Sequence, residues 1–174
     1  FKLQALGISG KIFGKEHPYV AMSLHNVGLT YRALGEHKKA LEFHLQALEI
    51  REKLFGDEHH DVATSLNNVG VAYGNLGDHK KALEYQLQAL EIEKKLFGDE
   101  HLSVALSLSN VGGTYGALGD HKKGLEYMLQ ALEIARKVYK DDNHPHVTIY
   151  ARNVEITRSK LQQIELEQKE IKTE

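Results

Sequence analysis

Apolar residues at Val20, Leu24, Val27, Tyr31 and Leu34 are spaced by four, three, four and three, which is one stripe along an α-helix. A second stripe, Leu41, Leu45 and Leu48, follows the polar stretch "GEHKK" and stops near Gly56. Gly35 closes the first helix, because glycine suits the left-handed conformation there, and the acidic Glu36 suits the positive end of the helix that follows. The pattern predicts two antiparallel helices joined by a very short turn. It then starts again: "ALEFHLQALEI" at Ala40 returns as "ALEYQLQALEI" at Ala82 and "GLEYMLQALEI" at Gly124, so the offset is 42 residues both times (82 − 40 and 124 − 82). A fixed period of that size is the mark of a stacked repeat protein.

Counted from Pro18, complete units occupy 18–59, 60–101 and 102–143, and roughly two thirds of the positions match between the first two copies. Residues 1–17, "FKLQALGISGKIFGKEH", align with Tyr85–His101 and are expected to be the second helix of a truncated repeat. Residues 144–174 start a further first helix at Pro145 and become increasingly polar, as a closing helix with one face in water would. The whole of 1–174 is therefore expected to be one solenoid fragment. Gly28, Gly70 and Gly112 recur at one register inside first helices, where each costs about 1 kcal/mol against alanine. Their expected role is close helix packing. His17, His59, His101 and His144 share a register at helix starts, which favours a helix-start or packing device over a metal set.

A net charge of −2 over 22 basic and 24 acidic residues gives no basic face for nucleic acid. The absence of cysteine removes disulfides and thiolate chemistry and suits a reducing, cytoplasmic setting. No apolar run approaches the roughly 20 residues that span a bilayer, so no membrane partner is expected. The sequence "FGKEH" lacks the spacing of a phosphate loop, and any acid–base pair would recur in every copy. No enzyme activity, cofactor or metal is expected.

The spacing of Leu24, Val27, Gly28, Tyr31, Gly35, Ala40 and Ala47 resembles the tetratricopeptide repeat, and the 42-residue unit is closely similar to the repeats of kinesin light chains. The resemblance implies an all-α, right-handed superhelical solenoid of antiparallel hairpins, closed by a C-terminal helix, whose first helices line a groove for an extended peptide. Carried across position by position, it nominates His25, Asn26 and Arg32 in the first unit and Asn67, Asn68, Val71 and Asn75 in the second. Asn110 follows in the third unit, and Arg152 and Asn153 in the closing helix.

The asparagine column Asn26, Asn68, Asn110 and Asn153 calls for a reason, since asparagine is a middling helix former. A carboxamide carries donor and acceptor and can pair with any peptide backbone; alternatively it bonds a neighbouring helix and fixes repeat stacking. Gly74 and Gly116 stand at the register of Arg32, so the groove is expected to be nearly neutral and wide. The expected function is a protein-interaction scaffold holding a partner's peptide. The rival is a structural spacer or self-association module, a homo-oligomer formed through exposed terminal helices.

Overall fold

The computed structural model describes residues 2–171. Among them are eight helices: α1 (Lys2–Phe13), α2 (Pro18–Ala33), α3 (His37–Phe55), α4 (His60–Asn75), α5 (His79–Phe97), α6 (Leu102–Ala117), α7 (His121–Tyr139) and α8 (Pro145–Ile171). Three residues separate α2 from α3, α4 from α5 and α6 from α7, and each of these turns contains a glycine with positive φ: Gly35 at 76°, Gly77 at 84° and Gly119 at 88°. Only a residue without a Cβ adopts that conformation at little cost. Asp78 and Asp120 then accept from the backbone N–H groups of Lys81 and Lys123 at 3.2 and 3.1 Å, capping the next helix.

The chain divides into two compact units, one ending at Leu96 and the other beginning at Phe97. In the first, α2 packs on α1 and α3, and α3 on α4. Its core follows the expected stripe except at Leu34, which lies past the end of α2 and is 69% exposed: Val20, Leu24 and Ala47 form one cluster, and Leu48, Val62, Leu66, Val69 and Ala89 another. Arg51 crosses from α3 to α4, donating through Nη1 to Ser65 Oγ at 2.7 Å and to the Asp61 carbonyl at 3.2 Å. In the second unit α6 packs on α7 and α7 on α8, burying Val104, Leu108, Val111, Leu132, Val147 and Val154. Thr157 Oγ1 on α8 lies 3.0 Å from Met128 Sδ on α7.

The recurring glycines sit where helices touch. A Cβ on Gly28 would come within 2.7 Å of the His44 ring, and one on Gly70 within 2.7 Å of Gln86 Cγ. On Gly112 it would stand 2.8 Å from the Gly124 carbonyl oxygen. Positions 44, 86 and 128 are one repeat register, so each first-helix glycine is the seat for one second-helix side chain. No helix among the described residues is long and apolar enough to cross a membrane.

Candidate peptide-binding face

Residues three, four and seven apart share one side of a helix, so a stripe committed to the core leaves a second stripe beside it. In the first unit that second stripe carries exposed Met22 and Asn26 and half-buried Arg32 on α2, then half-buried Asn68 and Val71 and exposed Asn75 on α4. In the second unit it carries exposed Leu106 and half-buried Asn110 on α6, with exposed Arg152 and half-buried Asn153 on α8. Apart from His25 and Asn67, the nominated side chains thus flank the core within each unit. Gly74, Gly113 and Gly116 leave room there, since a Cβ on any of them would meet nothing nearer than 3.8 Å.

The asparagines differ in detail. Asn68 Nδ2 donates to the Thr64 carbonyl at 2.7 Å, so its hydrogen bond stays within α4 and does not tie α4 to a neighbour. The backbone carbonyls of Asn26 and Asn153 accept from Thr30 and Thr157 Oγ1 at 2.9 and 3.0 Å. Asn67 lies differently from the rest, only 8% exposed, because its register is one step round the helix towards the hairpin interior. His25 shares that register and is half-buried.

Beneath His25 the structure places a residue the helical pattern did not single out. His44 on α3 is 1% exposed, its ring centroid 5.5 Å from that of His25. Among the described residues neither His44 ring nitrogen has a hydrogen-bond partner, nor does His25 Nδ1. Burial holds the His44 imidazole down to about 4, and the positive fields of His25, Arg32 and Arg51 add to the effect. His25 is lowered too, by burial first and then by Arg51 and Arg32. Both rings are neutral at pH 7, so the cationic edge of the face in this unit is Arg32. The signal that could have found His44 is the glycine register: a helical glycine implies an intruding side chain opposite, and the opposing column reads His, Gln, Met.

The loop histidines behave as helix starts. Nδ1 of His17, His59, His101 and His144 accepts from the backbone N–H two residues on, at 3.1 to 3.3 Å. Each ring also stacks on the aromatic residue that ends the preceding helix, Phe13, Phe55, Phe97 or Tyr139. No group of three or more metal-ligating side chains gathers among the described residues.

Known proteins place this architecture. A variant of a kinesin light chain-like protein of Podosopora anserina with nearly identical TPR-like repeats superposes with a TM-score of 0.77 at 24% identity, over 99% of this chain and 81% of that one. BtubC (BKLC) of P. vanneervenii gives 0.79 at 24% identity, over 91% and 63% of the two chains. The apo form of RapI gives 0.73 at 20% identity, over 95% and 44%. Among curated proteins none matches. At these identities the neighbours establish the fold, a solenoid of antiparallel helical hairpins. The family profile for the tetratricopeptide repeat matches residues 2–53, 26–95 and 61–137. With the 42-residue period, the glycine-seated hairpins and these three overlapping matches together, the chain belongs to the tetratricopeptide repeat family.

Proposed function

We propose that this repeat scaffold binds an extended peptide segment of a partner protein on its first-helix face. In the first unit Asn26 and Asn68 address the ligand backbone, and in the second Asn110 and Asn153 do. The observation that carries this reading is the placement of Asn68: on the stripe beside the core, half-buried, with its carboxamide bonded within its own helix and tied to no other. Val71 and the open sites at Gly74, Gly113 and Gly116 would accommodate bulky or apolar ligand side chains, while Arg32 and Arg152 supply isolated positive charge. A carboxamide pairing with ligand backbone leaves sequence choice to these positions.

The test is a random-peptide display screen against the whole chain, counter-screened with the Asn68→Ala, Asn110→Ala double variant after its melting curve has been shown to match. Enrichment that disappears on the double variant is the expected result. Enrichment that persists, or none at all, removes the asparagine column from the site. A second reading, self-association, has its own observation: α1 exposes Leu3 at 55%, Ile8 at 58% and Ile12 at 66%. It predicts a mass that rises with concentration by analytical ultracentrifugation and falls back when Leu3 is changed to Lys.

A further inference from the structure

A concavity within the first unit is lined by the second helices α3 and α5 together with Leu66 and Tyr73 of the first helix α4, and by none of the nominated peptide-binding residues. A cleft of about 680 Å³ opens where α3, α4 and α5 meet. Leu48 and Leu66, both nearly buried, contribute to its apolar floor. One wall is the stacked pair Tyr73 and Tyr85, with ring centroids 5.5 Å apart and planes 15° from parallel. Glu49, Glu52 and Glu84 also line it, and Lys81 is the one cation among its lining residues.

These charges are not equivalent. Glu49 is met by Lys53 at 2.9 Å. Among the described residues Glu52 and Glu84 make no ion pair, although Glu52 is half-buried. Burial, with the carboxylates of Asp57 and Glu49, pushes the Glu52 carboxyl up, and burial, Tyr73 and Glu52 push the Tyr85 phenol up. A half-buried carboxylate without a counter-ion costs stability, and the repeat itself shows that packing does not require one. The register of Glu52 holds Gly10, Lys94 and Arg136 in the other copies. The aromatic wall meanwhile already receives a cation, because Lys81 Nζ sits 5.2 Å from the Tyr73 centroid.

We propose that this cleft takes an arginine side chain from a basic segment of a partner protein, with its guanidinium against the Tyr73–Tyr85 wall and paired with Glu52 and Glu84. Arginine fits better than lysine because a planar cation stacks on rings and presents several donors to two carboxylates at once. The apolar floor accepts the aliphatic stem, which a free small cation would not fill. This site is independent of the asparagine face.

The experiment follows the ring resonances of Tyr73 and Tyr85 by NMR as the whole chain is titrated with acetyl-Ala-Arg-Arg-Ala-amide. The norleucine analogue of that peptide and spermidine serve as comparison probes. Saturable shifts with the arginine peptide alone are expected. They should weaken by about tenfold in Glu52→Gln, vanish in Glu52→Lys, strengthen in Lys81→Met and stay unchanged in Asn68→Ala. Equal shifts with the norleucine peptide, unchanged affinity in Glu52→Gln, or tighter binding of spermidine than of the peptide would each overturn the proposal. Glu52→Gln is isosteric and removes a charge, so thermal melts should show it folded; Glu84→Gln is the second variant should Glu52→Lys fail to fold.

Discussion

Histidine at positions 17, 59, 101 and 144 takes the place that serine or aspartate usually holds at a helix start. Its Nδ1 accepts a backbone N–H, and its ring covers the aromatic residue before it. His59→Ala should therefore cost about 1 kcal/mol or more in urea melts, and His59→Asp, which restores a capping oxygen, should recover part of that. His44 makes a different prediction. Its imidazole titrates near 6.5 when unfolded and at about 4 when folded, so between those values the unfolded chain binds a proton the folded chain does not. The stability from keeping it neutral is complete above about pH 6.5 and is lost as the pH falls towards 4, by on the order of 2–3 kcal/mol. His25 works in the same direction. Urea melts at pH 4.5 and 7 should show this slope, and His44→Met, copying Met128 at the same register, should flatten it.

At the scale of the helices, closeness of approach decides which glycines are needed. Gly112 and Gly113 are neighbours on α6, yet a Cβ on the first would strike the Gly124 carbonyl oxygen at 2.8 Å and on the second would meet only Met128 Cε at 4.0 Å. Gly112→Ala is expected to destabilise by about 1–3 kcal/mol through overpacking, because the obstacle is backbone and cannot rotate away. Gly113→Ala should stabilise by up to about 1 kcal/mol through helix propensity. Denaturant melts of the two variants distinguish a packing glycine from an open one. Where the third copy departs from the pattern, Lys140 takes the position of Gly56 and Gly98 and is held at φ 51°. Lys140→Gly should relieve that strain and raise stability by up to about 1 kcal/mol in the same assay.

At the scale of the molecule, a repeat array is held together by neighbour contacts, so protection from hydrogen exchange should follow the contacts within each unit. In the first unit the amides of α4 should exchange more slowly than those of α1, whose Leu3, Ile8 and Ile12 are exposed. In the second, protection on α8 should fall beyond Thr157, where Leu166 and Ile171 are 60% and 74% exposed. Mass-spectrometric exchange would check both gradients. Much of this architecture was legible beforehand, because helix spans, turn glycines and the 42-residue period are local relations that recur in the text of the chain. The first-helix stripe with Asn26 and Asn68 was legible for the same reason. Depth was not. Asn67 and Asn68 are adjacent and chemically identical, yet Asn67 is buried at 8% and Asn68 is half-buried, since one turns to the hairpin interior. The polar residues His44, Arg51 and Glu93 look, on a helical pattern, like the exposed Lys53 and Glu49, and the Tyr73–Tyr85 cleft brings together three helices. The sequence by itself determined the repeat, its hairpins and their caps, because those depend on residues within one turn or one period. Only the tertiary structure decided which polar groups are buried and where a cleft opens, because both depend on how closely neighbouring helices approach.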